Sequence, residues 1–147
     1  MKRAVVYYRD PVLLVYPNLQ TNDGFYLATS PYVKVERKPQ AVGNALRDAL
    51  AVDRRVATPK RDEYTSLSQE RYSAAGVKNE AAFIRKAILL DVIQDADGFR
   101  LIPNRNGGAT GASKGFSPAP EEALRLPYEI GFDQIGVEIL KIILNEN

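Results

Sequence analysis

The chain has 147 residues, 45% of them hydrophobic and 26% charged, with a formal net charge of +2. That length suits one domain with a real core, and so even a charge balance excludes a bulk nucleic-acid binder, which must neutralise many phosphates at once. Cysteine and histidine are absent, which excludes a disulfide framework and a thiolate zinc site, removes the commonest general base, and leans toward a reducing compartment.

The opening segment reads as strands. "MKRAVVYYRDPVLL" begins basic, but its apolar run covers only Ala4 to Tyr8 before Arg9 and Asp10 interrupt it, so it reads as a strand and not a secretory signal. Val12 to Tyr16 repeats that character after a turn at Asp10-Pro11. "NDG" at 22–24 signals another turn before "FYLAT", and "YVKVER" then alternates apolar and charged side chains. Pro11, Pro17 and Pro31 lack a backbone donor, which assigns them to strand ends or edges. No run approaches the length that spans a bilayer, so residence in the cytoplasm is the expectation.

A helix is expected over 40–52, where Val42, Leu46, Ala49 and Leu50 recur at helical spacing and Pro39 suits the first turn. Residues 53–78 are polar and poorly periodic, which predicts a long surface excursion with room for a short helix. "NEAAFIRKA" is a short helix with Asn79 as its cap. "ILLDVIQ", "DADG" and "FRLIP" read as strand, turn and returning strand of a hairpin. "APEEALRLP" fits strand or helix equally. The last helix is expected over 132–145, with Phe132, Ile135, Gly136, Ile139, Leu140 and Ile143 on one stripe. "VGNALRDAL" and "IGVEILKII" share a β-branched residue followed by glycine. Gly43 and Gly136 are therefore read as packing residues, because a helix-interior glycine costs about 1 kcal/mol unless it permits a close approach.

The stretch "GGATGASKGF" at 107–116 resembles the start of a dinucleotide loop. A working fingerprint must follow a strand directly and open a helix whose amides face the pyrophosphate. Here "PNRN" intervenes, Pro118 and Pro120 disfavour a helix, and Lys114 follows Ser113 where a P-loop needs Gly. A surface loop is expected, with no cofactor. Asp91, Asp95 and Asp97 lack the alternation of a calcium loop and read as solvated turn residues, so no metal is expected. Glu121 and Glu122 read as surface. Arg54, Arg55, Lys60, Arg61 and Arg71, interleaved with Tyr64 and Tyr72, mix the residue types that anchor protein interfaces or stack on RNA.

Four segments together resemble the immunity proteins of bacterial contact-dependent growth inhibition systems: "VGNALRDAL", "KNEAAFIRKAILLDVIQ", "FRLIPNR" and "IGVEILKII". Their order is similar to that family's helix, long segment, hairpin, loop and final helix, and spans the greater part of the chain. The resemblance implies a cytoplasmic, non-catalytic protein. It would bind the C-terminal toxin domain of a secreted exoprotein, often a nuclease, and block its active site, with no membrane and no direct nucleic-acid contact. Recognition is then expected where patterning is weakest, in 53–78 and 104–118. The candidate contacts are Arg54, Arg55, Tyr64, Arg71 and Tyr72, together with Arg105 and the acidic Asp91, Asp95 and Asp97. The fold expected is a single α+β domain over 1–147, a mostly antiparallel β-sheet with two or three helices packed against it. The alternatives are a small RNA- or nucleotide-binding protein using 53–78, and a small carboxylate enzyme, which would need a deep acidic pocket.

Overall fold

The computed structural model describes residues 1–144. The β-branched and aromatic runs at the start of the chain form β1 (Lys2–Arg9) and β2 (Val12–Gln20), paired antiparallel across the Asp10–Pro11 turn. After two short strands, β3 (Tyr26–Ala28) and β4 (Val33–Lys34), come the helices α1 (Pro39–Ala51), α2 (Arg61–Ala75) and α3 (Glu80–Ile84). The hairpin β5 (Ile88–Asp95) and β6 (Gly98–Asn106) follows, then β7 (Phe116–Pro118), a single 3-10 turn at Pro120–Glu122, β8 (Leu124–Pro127) and α4 (Phe132–Ile143).

Every strand pairing is antiparallel, and β2, β1, β5 and β6 lie side by side in that order. Both outer strands are covered in two pieces. Along β2, β4 takes Leu14 and Val15 while β3 takes Asn18 to Gln20; along β6, β8 takes Gly98 to Leu101 while β7 takes Asn104 to Asn106. This splitting corrects one expectation, since Pro17 lies inside β2 and is buried. Its carbonyl accepts from the Thr29 amide, so its missing N–H faces the gap between β3 and β4, where no ladder bond is lost. "YVKVER" contributes only the two residues of β4.

Because side chains alternate along a strand, the register divides the sheet into two apolar faces. Ala4, Val6, Val15, Leu90, Val92 and Leu101 line one and pack against α1 and α4. Val5, Tyr7, Leu14 and Tyr16 line the other and pack against Tyr72 and Ala75 of α2 and Phe83 of α3. The result is three layers. The α+β reading therefore holds, with four helices among the described residues where two or three were expected. The predicted end of the last helix, residue 145, lies outside the described residues.

The extra helix is α2, and it corrects the surface excursion expected over 53–78. Its ends are well marked: the Lys60 amide donates to Glu63 Oε1 at 3.0 Å, and Gly76 closes the helix in the left-handed region at φ 75°. Its middle is not, since only Tyr72 and Ala75 are buried.

Gly43 and Gly136 are packing residues, as their pattern predicts. A Cβ on Gly43 would lie 2.7 Å from the Phe132 carbonyl carbon, and one on Gly136 would lie 2.8 Å from that of Pro39. Each glycine thus receives the first turn of the other helix. This reciprocal fit lets α1 and α4 lie close enough to share the cluster of Val42, Leu46, Ile135 and Ile139 beneath them. Each such side chain contributes about 1.5–3 kcal/mol on burial.

Candidate functional site

The nine residues predicted to contact a partner fall into three places. Tyr72 is buried, 6% exposed, against the Phe83 ring at 5.3 Å between centroids, so it is a core residue and not a free anchor. Arg71 follows it inward. Its guanidinium lies 5.2 Å from the Phe83 ring and 5.7 Å from the Tyr72 ring, a cation–π arrangement beneath the helix. Asp91 belongs to the same layer. It sits mid-strand in β5, as "ILLDVIQ" predicts, but is half-buried and not the solvated turn residue expected, and it accepts from Asn104 Nδ2 at 2.9 Å. Burial pushes its carboxyl above the usual range, against the opposing pull of the Asn104 bond and of Arg3. Nearby, Tyr7 donates to the Phe83 carbonyl at 2.6 Å, and burial pushes its phenol up to about 12. Burial likewise raises Tyr16. This polar and aromatic layer joins α2 and α3 to the sheet. Tyr64, also on α2, is half-buried.

Arg105 is the penultimate residue of β6, where it pairs with Glu121. The glycine stretch begins one residue beyond that strand. It closes on itself through Gly107 N–H to Gly115 O and Gly115 N–H to Gly108 O, both 2.9 Å, and returns as β7. A strand, not a helix, follows the glycines, so no ring of helix amides faces this loop.

The remaining four candidates meet at the opposite end of the sheet, where β1 and β6 begin and β2, β5 and β8 finish. Arg54 and Arg55 lie in the segment after α1. That segment is pinned to the end of β2 by a parallel bridge between Thr21 and Val56 and by Asn22 N–H to Val56 O at 3.0 Å. Arg54 also donates to the Ser30 carbonyl at 3.2 Å. With Lys2, Arg3, Gln20 and Tyr26, the two arginines line a concave pocket of about 210 Å³. Beside it, across Met1 and Lys2, stands the β5–β6 turn with Asp95 and Asp97. Asp95 holds that turn by accepting from the Asp97 amide at 2.9 Å and from Arg100 at 3.5 Å. Arg125 lines the hollow on its far side, and Tyr128 is 56% exposed with its ring stacked on Phe99.

This end of the sheet therefore shows a basic hollow, an acidic turn and a pre-positioned aromatic in a row. Lys2, Arg3, Tyr26, Arg100, Arg125 and Tyr128 were not singled out in the sequence. Only the pairing of β1 with β2 and β5 brings them beside the predicted residues. Among the described residues no group of three Asp, Glu, His or Cys side chains could hold a metal ion, and no helix is long and apolar enough to cross a membrane.

The fold and this surface together define an α+β domain, three layers deep, with a concave, charged surface at one end of its sheet. Known structures share that fold. The chain is similar to a protein of unknown function from Neisseria meningitidis, with a TM-score of 0.74 and 14% identity over 98% of this chain and 93% of that one. It is also similar to a chain of the CdiA-CT/CdiI toxin and immunity complex from Yersinia pseudotuberculosis. There the TM-score is 0.69 and the identity 13%, over 98% of this chain and 95% of that one. At such identities the likeness is one of fold. No family model and no curated protein matches the sequence.

Proposed function

We propose that the chain is an immunity protein of the contact-dependent growth inhibition type. It binds one cognate toxin domain, delivered as the C-terminal part of an exoprotein, and neutralises it in the cytoplasm by covering its active site. The observation that carries this reading is the near end-to-end fold likeness to a chain of a toxin and immunity complex. It agrees with the resemblance drawn independently from "VGNALRDAL" and "IGVEILKII".

The mechanism asks nothing of the chain but complementarity. An interface of about 1,600 Å² anchored by a few Tyr or Arg side chains suffices for tight, specific binding. Tyr128 fits that role, since its stacking on Phe99 orders the ring before binding and lowers the entropy cost of docking. The acidic turn at Asp95 and Asp97 complements a basic nuclease cleft, although the chain as a whole is slightly basic. The inward placement of Arg71 and Tyr72 counts against the RNA-binding alternative, because it removes a stacking aromatic from the surface of 53–78.

The test is coexpression with the C-terminal domain of the protein encoded by the reading frame immediately upstream, which the proposal expects to be a large exoprotein. Growth restored by the chain, together with co-purification of the two, supports the proposal. Continued growth arrest, with the chain folded and no complex formed, sinks it.

A further inference from the structure

The pocket beneath Arg54 and Arg55 carries more positive charge than its surroundings balance. Lys2, Arg3, Arg54 and Arg55 line it with a single carboxylate, Asp53. Among the described residues none of these five forms an ion pair. Unpaired cations occur elsewhere on the surface, Lys34, Lys60 and Lys86 among them, but here four cations share one hollow with a single carboxylate. The pocket is also held in shape. Arg3 lies 4.0 Å over the Tyr26 ring, and its Nε is buried with no hydrogen-bond partner. The Tyr26 ring holds the Arg3 guanidinium in place on the pocket wall.

We infer that this pocket takes the carboxylate of an acidic side chain presented by the toxin domain, an inference that rests on the immunity reading. Two observations favour a protein carboxylate over a nucleic-acid backbone. The hollow is about 210 Å³ and enclosed by Gln20, Tyr26 and Val52, room for one acidic side chain and not a track for a strand. Next to it, across Met1 and Lys2, stands the β5–β6 turn, where Asp95 is paired with Arg100, so the excess of positive charge is confined to the pocket and does not continue as a track along the sheet end. Planar guanidinium forks pair with a carboxylate in two parallel bonds, and this would fix the orientation of the toxin on the sheet end.

Two experiments separate this inference from the reading it rests on. In the first, the isotope-labelled chain is titrated with a capped tetraglutamate peptide, inorganic phosphate and a uridylate oligonucleotide while the arginine Nε–H resonances are followed. The peptide is expected to shift Arg3, Arg54 and Arg55, with the shifts lost in Arg54→Gln/Arg55→Gln and other resonances unchanged. No response to the peptide, or a response to phosphate or the oligonucleotide alone, overturns the inference.

In the second, Arg54→Glu/Arg55→Glu is measured for toxin-domain binding, with a loss of about 30-fold or more expected for reversing charges at a buried contact. Full binding by this variant overturns the pocket and leaves the immunity reading standing. Failure of the wild-type chain to bind overturns that reading and, with it, the toxin as the pocket's occupant.

Discussion

Gly136→Ala is the sharpest test of how α1 and α4 are held together. The new Cβ would lie 2.8 Å from the Pro39 carbonyl carbon and closer still to its oxygen. Carbon atoms at rest sit about 3.5–4.0 Å apart, so the helices must separate by about 1 Å. The obstacle is backbone, which has no rotamer to swing aside. Overpacking of this kind costs about 1–3 kcal/mol, and the upper end applies to a rigid wall. Against it, alanine gains about 1 kcal/mol over glycine in a helix interior.

The net expectation is destabilisation by about 2 kcal/mol, a fall in melting temperature of about 4–8 °C for a chain of this size. Gly43→Ala meets the first turn of α4 in the same way and should behave alike. The double variant should lose less than the sum of the two, since one separation relieves both clashes. Urea unfolding of the three variants measures this. A Gly136→Ala protein as stable as wild type would refute the close approach, and strict additivity would refute the shared interface.

Tyr72→Ala should destabilise by about 3–5 kcal/mol in the same assay, as expected for a buried aromatic, whereas Tyr64→Ala on the same helix should cost under about 1.5 kcal/mol. Similar losses at the two positions would contradict the orientation of α2. For Asp91 the sign follows from its raised pKa. The folded chain holds the proton more tightly than the unfolded one, so stability falls as pH rises from 3.8 through the raised value. Asp91→Asn should therefore be more stable than wild type at pH 7, with the advantage closing as pH is lowered toward 3.8. A variant less stable at pH 7 would mean that Arg3 and Asn104 outweigh burial.

The sequence revealed most where a pattern maps onto a single element. The β5–β6 hairpin, α1 and α4 were legible because apolar period and turn residues agree, and the paired glycines pointed to close packing. α2 was not, because a helix lying across one flank of a sheet buries too little to leave a stripe. Its signals were terminal, Glu63 three residues after Lys60 and Gly76 at the far end, and the intervening charges masked them. Asp91 was placed in the right strand but grouped with the solvated Asp95 and Asp97, because a lone carboxylate in an apolar strand gives no sign of the partner that receives it. Its partner Asn104 lies two residues beyond Ile102, which stands opposite, and comes within reach only once β5 and β6 pair. The surface proposed for recognition could not be assembled from sequence for the same reason, since Arg54 and Arg55 are distant in the chain from Lys2 and Arg3, and β1 lies between them and the turn of Asp95 and Asp97.

The most direct test of the account is hydrogen exchange of this chain, free and bound to the toxin domain that it protects against in the coexpression test. The expected footprint covers residues 18–26, 52–56, 94–100 and 125–128, with the 107–115 loop and the outer face of α2 unprotected. Protection confined to that loop or helix, or no protection anywhere, would contradict recognition at this end of the sheet.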